Sequence, residues 1–383
     1  MPSLAPVILA ALLACAPALP CPCEDTSLCA TLALPPRDEV FLFQVDVRNW
    51  PSYDYSRVTS IALFDGAPPP PEFLCFAHSK AVNLVANAPY PSSQLLNATY
   101  RSAFLEGMKA LVNGTRYGVQ LDGLNFDIED PFGGAQAEGY VRLLEFASAA
   151  LKQAMGPAFS ISVDVAWSPD CIDGRCYNLA GMAAAADLLF VMAYDMRSQV
   201  FPPQPCLASA NSPFPLVTQG MLNYTQQGLG LDPRKLILGL PWYGYRYECA
   251  GPDVAPDAAV CPMASVPFRN ASCSDAAGSE LCYSALMQLL RNTSHPPSRA
   301  PSWNASLAAT FFNRVEGGKT VQYWYDTPAS LQLKAKYAGV AGWRGTGVWN
   351  ADCLDYASTD ARVKADTQRM WESFDAFQID REL

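Results

Sequence analysis

The sequence of 383 residues is poor in charge and in histidine: only 16% of its residues are Asp, Glu, Lys or Arg, and His78 and His295 are its two histidines. With so little histidine and no paired CxxC spacing, metal ligands are scarce, so we expect neither a metal nor a cofactor. The net charge is −10, and the sequence contains no run of Lys or Arg residues. This balance disfavours nucleic acid and an anionic membrane surface as partners.

The chain also lacks an apolar run that is convincing as a membrane span. The first 20 residues, MPSLAPVILAALLACAPALP, combine a short apolar run with small residues, which predicts a signal peptide over residues 1–20. Twelve of the thirteen cysteines lie beyond it, an even number that suits disulfides in an oxidising compartment. The sequence leaves their pairing open, although Cys171 and Cys176 could close a short loop. Six N-x-S/T acceptors agree with the secretory pathway: Asn97, Asn113, Asn223, Asn270, Asn292 and Asn304.

Eight short apolar runs, separated by helical or loop segments, predict eight buried strands. They lie at about 39–46, 58–64, 81–86, 118–129, 158–167, 187–195, 235–243 and 339–349. This alternation favours an α/β fold, a (β/α)₈ TIM barrel, whose active site lies at the C-terminal ends of the strands. A doubly wound sheet shares the alternation, but no glycine-rich phosphate loop follows the first strand. We expect one catalytic barrel over residues 21–383.

Residues from about 246 to 320 break this rhythm. The segment contains four cysteines and three of the glycosylation acceptors. We therefore expect a small disulfide-containing insertion after the seventh strand.

The stretch LDGLNFDIED, residues 121–130, places acidic groups on a predicted strand. Side chains alternate along a strand, so Asn125, Asp127 and Glu129 point to one side, with about 6–7 Å between alternate residues. Two close carboxylates repel each other when both are charged, which favours a proton on one of them near neutral pH. Such a pair suits the protonation of a glycosidic oxygen. A solvated strand end or a calcium site is the alternative.

Several stretches together resemble the motifs of glycoside hydrolase family 18, the chitinases and their relatives. The stretch DGLNFDIE resembles the family signature D-G-x-D-x-D-x-E. Four further stretches resemble family motifs in the same order: VMAYD, LILGLPWYGY, YDTPASLQLKAKY and GTGVWNAD. The family resemblance implies a TIM barrel that hydrolyses bonds between N-acetylglucosamine (GlcNAc) units.

Within this family, CPCEDTSLC, DVAWSP, RCYN and WNADCLDY resemble lysosomal members that act on the chitobiose core of free N-linked oligosaccharides. This resemblance implies hydrolysis of the GlcNAc-β-1,4-GlcNAc bond, with release of the reducing-end GlcNAc. It also implies the lysosome as the destination, with secretion as the alternative.

The resemblance implies three catalytic residues and a retaining mechanism in which the substrate assists. Glu129 would be the general acid and later the general base. The nucleophile would be the carbonyl oxygen of the 2-acetamido group of the substrate itself. Asp127 would hold the acetamido N–H and stabilise its developing positive charge, and Tyr194 would hydrogen-bond the acetamido oxygen.

Four further residues are candidates for substrate binding. Trp349 would form an apolar floor under the sugar ring, Asp195 would contact a sugar hydroxyl, and Tyr243 could serve binding or barrel packing. Asn125 stands where chitinases usually have the middle aspartate of the signature, and an S-x-G-G stretch expected on the third strand is missing. Both departures weaken a resemblance to chitinases that act on polymer.

Two other functions remain open. One is a chitinase that acts on chitin oligomers or polymer, and the other is a non-catalytic glycan-binding protein on the same barrel. The presence of Glu129 with Asp127 and Tyr194 favours an enzyme. We expect a monomer whose partner is an oligosaccharide substrate.

Overall fold

Among the residues that the computed structural model describes (19–196, 206–226, 229–251, 253–269 and 271–377), eight parallel strands close into a barrel. Almost all of the predicted signal peptide and the acceptor Asn270 lie outside these residues. The barrel strands are β1 (Glu39–Gln44), β2 (Ser60–Leu63), β3 (Asn83–Asn87), β4 (Gly123–Phe126), β5 (Ser160–Ala166), β6 (Leu188–Met192), β7 (Leu236–Pro241) and, after an inserted segment, β13 (Gly345–Trp349). Their order around the barrel is β1-β13-β7-β6-β5-β4-β3-β2. The predicted fold class is confirmed.

Helices fill the connections between the strands. They are α1 (Pro71–Ser79), α2 (Ala98–Val112), α3 (Ala135–Met155), α4 (Leu179–Ala185), α5 (Phe214–Thr225), α6 (Tyr283–Arg291), α7 (Pro328–Val340) and α8 (Ala361–Glu372). Every predicted strand overlaps an observed one, but each is shorter than predicted, the fourth and the eighth by the most. The eighth begins only at Gly345 because residues up to Val340 complete α7, and the fourth is confined to Gly123–Phe126.

Aromatic rings fill the centre of the barrel. The Phe190 ring lies 5.7 Å from that of Phe41 and 4.8 Å from that of Phe43, measured between centroids. A Cβ atom at Gly239 or Gly347 would overlap the Phe190 ring. Gly239 and Gly347 therefore make room for this ring in a core that is packed as closely as a crystal.

The segment YDTPASLQLK owes its form to the start of α7. Thr327 and Ser330 form a reciprocal capping box, and Pro328 occupies the first turn, where its missing N–H is not needed. The ammonium group of Lys334 pairs with the Asp326 carboxylate, and both side chains are fully buried. Removing one member of such a pair leaves an uncompensated charge in the core, which typically costs about 3–5 kcal/mol.

The inserted segment forms a second sheet. In its described part, five antiparallel strands pair in the order β10-β11-β12-β8-β9. They are β8 (Tyr243–Glu248), β9 (Gly278–Cys282), β10 (Arg299–Asn304), β11 (Ala309–Glu316) and β12 (Lys319–Tyr325). The sheet thus starts two residues after β7 and extends slightly beyond the expected range of about 246–320.

Six disulfides connect the cysteines of the described residues. Cys249–Cys261 lies within the insertion, whereas Cys206–Cys273 and Cys282–Cys353 tie it to loops after β6 and β13. The others are Cys21–Cys29, Cys23–Cys75 and Cys171–Cys176, the last as expected from its short loop. None of the helices in the described ranges combines the length and the apolar character that crossing a bilayer requires.

Asp122 and His78 brace the N-terminal end of β4, opposite the predicted active-site end. The Asp122 carboxylate accepts hydrogen bonds from the backbone N–H groups of Leu32 and Leu84, both at 2.7 Å. The buried His78 ring lies with Nε2 2.9 Å from Asp122 Oδ2 and Nδ1 2.7 Å from the Leu28 carbonyl oxygen. Both partners are acceptors, so the ring satisfies both only as an imidazolium with two N–H donors. Asp122 therefore supports β4 and its neighbours and lies away from the predicted active-site end.

The His78 contacts predict a stability that is greatest in acid. Burial by itself lowers the pKa of His78, but the hydrogen bond and charge of Asp122, with the Leu28 carbonyl, outweigh burial and raise it. This stabilisation is complete below the ordinary histidine pKa of 6.5 and is lost as the pH rises through the raised value. We expect the thermal midpoint to fall from acid to alkaline pH by less in His78→Gln than in the wild type. His295→Gln, at an exposed site, is the control, and an equal pH response in all three proteins would contradict the prediction.

Candidate active site

The polar residues of LDGLNFDIED divide between the two ends of β4 and its interior. Asp122 precedes the strand, Asn125 lies within it, and Asp127 and Glu129 follow its last residue at the C-terminal mouth of the barrel. Gly123 packs directly against the backbone of β5, where a Cβ atom would lie 2.6 Å from the Ser160 carbonyl oxygen. A glycine at this position therefore allows β4 and β5 to approach closely beneath the site.

Asp127 is partly buried at the barrel mouth, and its Oδ1 atom is enclosed. Burial raises the pKa of its carboxyl to about 7, the negative charge of Glu129 adds to this rise, and the positive charge of Arg175 opposes it. Within the described part of the chain, Asp127 Oδ1 is buried without a hydrogen-bond partner. A buried acceptor of this kind is costly unless a ligand or a proton satisfies it.

Glu129 lies at the rim and is the accessible acid of the site. Half of its side chain is exposed. Its Oε2 accepts a hydrogen bond of 2.6 Å from Nη1 of Arg175, whose side chain is only 2% exposed. Arg175 belongs to the loop closed by Cys171–Cys176. Two backbone hydrogen bonds hold this loop against the segment after β4: Phe132 N–H to Gly174 O, and Cys176 N–H to Phe132 O.

Asn125 contacts a carboxyl group of the neighbouring strand. It is fully buried, and its Nδ2 donates to Asp164 Oδ1 at 3.0 Å and to Ser162 Oγ at 3.1 Å. Asp164 lies in β5 and is also buried; burial raises its pKa well above the usual range, and the charge of Asp127 raises it further. Asn125 thus lies among the acids beneath the barrel mouth.

The end of β6 adds a second group of polar side chains. Tyr194 is buried, and its ring meets that of Tyr243 edge to face at a centroid distance of 6.0 Å. Asp195 Oδ1 accepts hydrogen bonds from the hydroxyls of Tyr243, at 2.6 Å, and Tyr245, at 2.9 Å. Burial raises the pKa of Asp195 to about 7, although both tyrosine hydrogen bonds oppose the shift. Tyr243 therefore orients Asp195 in addition to packing at the barrel mouth.

Trp349 occupies the last position of β13. Its ring packs against Phe43 and Phe64, at centroid distances of 5.4 and 5.8 Å, and remains partly exposed. Packing of this kind fixes the orientation of the indole and leaves part of it accessible to a ligand. A flat apolar surface at a barrel mouth is suited to the apolar face of a sugar ring.

A cleft of about 410 Å³ runs from this site to the insertion. Glu129 and Asp195 line its barrel side, and residues of the insertion, including Tyr245, Phe268 and Arg269, line the other. The guanidinium of Arg269 pairs with the Asp173 carboxylate of the Cys171–Cys176 loop. The insertion and this loop therefore form adjoining walls beside Glu129.

A larger cavity, of about 540 Å³, lies at the opposite end of the barrel. Its charged residues pair with one another or with nearby residues, as in Arg344–Glu39 and Arg234–Asp38. The site at the strand C-termini is the better candidate because unpaired buried polar atoms and perturbed acids converge there.

All seven residues predicted for catalysis or binding lie at the C-terminal ends of the barrel strands or, in the case of Asn125, within β4 just below the mouth. The structure adds Arg175 and Asp164, which the sequence did not identify as site residues. Asp164 had a signal, since it is a lone charge in the apolar strand SISVDVA. Arg175 lies in RCYN, a stretch that contributed to the family resemblance but received no chemical role from the sequence.

Known proteins are similar to this chain over most of its length. The profile of the family described as "Glycosyl hydrolases family 18" matches residues 88–353. The chain is 37% identical to di-N-acetylchitobiase of Mus musculus over 354 residues, which are 92% of each chain. It is 39% identical to probable di-N-acetylchitobiase 2 of Dictyostelium discoideum, over 93% of this chain and 90% of that one.

Solved structures share the fold at low sequence identity. A chitinase from Chromobacterium violaceum has a TM-score of 0.66 at 15% identity, over 90% of this chain and 100% of the other. A class V chitinase mutant from Cycas revoluta, in complex with (GlcNAc)3, has a TM-score of 0.65 at 17% identity, over 87% and 98% of the two chains. These similarities support the barrel architecture.

The charge of Arg175 should influence how kcat/KM depends on pH. Its positive charge opposes the rise in the pKa of Asp127, so Arg175→Gln should raise that pKa above its value of about 7. The limb of the kcat/KM profile that follows Asp127 should then move to higher pH on a GlcNAc oligosaccharide. Arg246→Gln, which removes a guanidinium paired with Glu316 in the insertion, is the control and should leave the limb in place. A limb that stays fixed in Arg175→Gln would show that this charge does not act on Asp127.

Proposed function

The chain belongs to glycosyl hydrolases family 18, and from this premise we propose that it cleaves the chitobiose core of free N-linked oligosaccharides. The bond hydrolysed is GlcNAc-β-1,4-GlcNAc, and the product released is the reducing-end GlcNAc. The names of the related di-N-acetylchitobiases support this choice of substrate. The observation that carries it is the pairing of an accessible acid, Glu129, with a partly buried acid, Asp127, whose buried Oδ1 has no hydrogen-bond partner in the described chain.

Glu129 supplies the proton in the first step. It protonates the glycosidic oxygen as the bond between that oxygen and C1 breaks, and the reducing-end GlcNAc leaves. The carbonyl oxygen of the 2-acetamido group of the remaining sugar attacks C1, which gives an oxazolinium ion. Glu129, now ionised, then takes a proton from water. This water attacks C1 and opens the oxazolinium ring, so that the configuration at C1 is retained. During this cycle Glu129 exchanges its contact with Arg175 for contacts with the leaving oxygen and with water.

Asp127 and Tyr194 act on the acetamido group. The unpartnered Oδ1 of Asp127 accepts the acetamido N–H, and its charge stabilises the positive charge that develops on the oxazolinium. Tyr194 hydrogen-bonds the acetamido oxygen and holds it in line with C1. Burial of Tyr194 and of Asp127 Oδ1 strengthens these interactions, because little water competes in an environment of low dielectric.

The remaining candidates bind the sugar. Trp349 forms the floor under the ring that carries the acetamido group, and Asp195, oriented by Tyr243, contacts a hydroxyl. Asn125 is fully buried beneath the site and holds the Asp164 carboxyl through its amide. The cleft toward the insertion receives the leaving sugar, because Glu129 lines this cleft.

We also propose that the protein loses residues 1–20 as a signal peptide and reaches the lysosome, with secretion as the alternative. The six disulfides of the described residues require an oxidising compartment for their formation. Microscopy of the tagged chain with a lysosomal marker, beside assay of the medium, distinguishes the two destinations.

The central test compares substrates and the acid variant. Purified protein should release single GlcNAc from the reducing end of free core oligosaccharides, with little product from chitin polymer. Glu129→Gln should lower kcat by about 10²–10⁴-fold, since general acid catalysis is lost while the shape of the site is kept. Full activity in Glu129→Gln would refute its assignment. Preference for polymer would favour a chitinase, and binding without hydrolysis would favour a glycan-binding protein.

The substrate-assisted mechanism requires the acetamido group on the sugar that contributes C1. A core substrate with a free amino group on the sugar that contributes C1 should lose about 10²-fold or more in kcat, because the internal nucleophile is gone. The matched control carries the free amino group on the reducing-end sugar and should still be cleaved. Equal rates on the two substrates would exclude the oxazolinium path and favour a nucleophile from the protein.

A further inference from the structure

The chain places a carboxyl group next to the position at which the family signature usually has one. Asn125 is an uncharged amide, but Asp164 of β5 lies with its Oδ1 3.0 Å from Asn125 Nδ2. Asp164 is 2% exposed and Asn125 is fully buried. A carboxyl group is therefore present at this depth of the barrel, contributed by the next strand.

The register of the sheet brings Asp164 beside Asp127. Asn125 pairs with Ser162 and Phe126 with Val163, which is the last pair of the register, and the next residues along the two chains are Asp127 and Asp164. Alternate residues of a strand share a face, and Asn125 and Asp127 therefore face the barrel interior with Asp164. Two carboxyl groups so placed, with little water near them, cannot both ionise cheaply.

Two buried oxygens in this group lack donors in the described chain: Asn125 Oδ1 and Asp127 Oδ1. A proton held by the two carboxyl groups supplies a donor that the fully ionised pair cannot supply. Burial favours the same state, since it raises the pKa of both Asp127 and Asp164. The pair is thus suited to carry one proton and one negative charge.

We propose that Asp164 is a positioning residue, which shares a proton with Asp127 from the neighbouring strand and thereby sets the orientation and charge of the Asp127 carboxyl. With the proton on Asp164, Asp127 is the ionised member and can accept the acetamido N–H. Asn125 holds Asp164 in place through its amide. This inference rests on the proposed function, because it concerns the acid that contacts the acetamido group.

Other groups also face Asp164 or act on its charge. Asp127 and Glu129 do so from the segment after β4. Tyr194 does so from the segment after β6, and Tyr140 from α3. Arg175 acts on the pair through Asp127. A test of Asp164 must therefore follow the ionisation of Asp127 itself in addition to the overall rate.

The first measurement does not depend on activity. Carboxyl ¹³C NMR titration of protein with labelled aspartate, with the Asp127 signal assigned through Asp127→Asn, should show Asp127 titrating at lower pH in Asp164→Asn than in the wild type. The like charge is gone, and the new amide can donate to Asp127. An unchanged Asp127 titration would overturn the inference, whatever the enzyme does. A wild type that titrates as expected but does not cleave core oligosaccharides would overturn the proposed function alone.

The second measurement is kinetic. Asp164→Asn should lower kcat on core oligosaccharides about 10- to 100-fold, as expected for a misplaced reacting group, with KM changed about twofold or less. The pH profile should shift to lower pH with the Asp127 titration. Ser162→Ala removes the other acceptor of Asn125 Nδ2 and keeps both carboxyls, so its change in kcat should be much smaller. A similar loss in both variants would attribute the effect to the Asn125 hydrogen bonds and overturn the inference.

Exchange of the two residues separates positioning from simple structural support. The double variant Asn125→Asp/Asp164→Asn returns a carboxyl to β4 next to Asp127 and keeps the amide–carboxyl contact. It should recover most of the kcat and the pH profile lost in Asp164→Asn, with a thermal midpoint near that of the wild type. A double variant that is inactive or unfolded would contradict the inference, even if Asp164→Asn alone fails to fold, because the exchange preserves the volume and the number of carboxyl groups.

Discussion

Closure of eight parallel strands into a barrel is the constraint on which the site depends. It forces inward side chains of neighbouring strands into one small space from which water is largely excluded. Asn125 and Asp164 meet there across β4 and β5, and Asp127 lies just above them. Burial is the largest cause of the raised pKa of Asp127 and of Asp164. The protonation of the site is therefore set chiefly by the barrel and only secondarily by individual pairs.

Glu129, two residues after Asp127, lies at the rim of the barrel in a different environment. Glu129 is half exposed, and its partner Arg175 comes from a loop that a disulfide closes. The insertion faces the same cleft and is tied to the barrel by Cys206–Cys273 and Cys282–Cys353. Cross-links of this kind restrict how far a long insertion can move relative to its scaffold. An accessible acid beside a buried one thus follows from the position of each residue relative to the mouth.

The motifs that carry the family resemblance combine chemistry with architecture. In LDGLNFDIED, Asp122 braces the lower end of β4, Gly123 allows β5 to approach, and only the later residues reach the mouth. In YDTPASLQLK, Thr327 caps α7 and Lys334 is a buried partner of Asp326. A residue within such a motif can therefore be indispensable for folding without contact with a substrate.

The sequence by itself determined the barrel, the approximate position of its strands and the location of Asp127 and Glu129 at the C-terminal end of the fourth one. These features follow from the period of apolar residues and from local motifs, which a linear chain displays directly. Only the tertiary structure decided that Arg175 pairs with Glu129, that Asp164 meets Asn125 and that a five-stranded sheet from the insertion walls the cleft. Arg175 is 46 residues from Glu129 in the chain, and Asp164 is 39 from Asn125. Contacts over such separations depend on the register between neighbouring strands and on the path of a loop, and the local pattern of residues specifies neither.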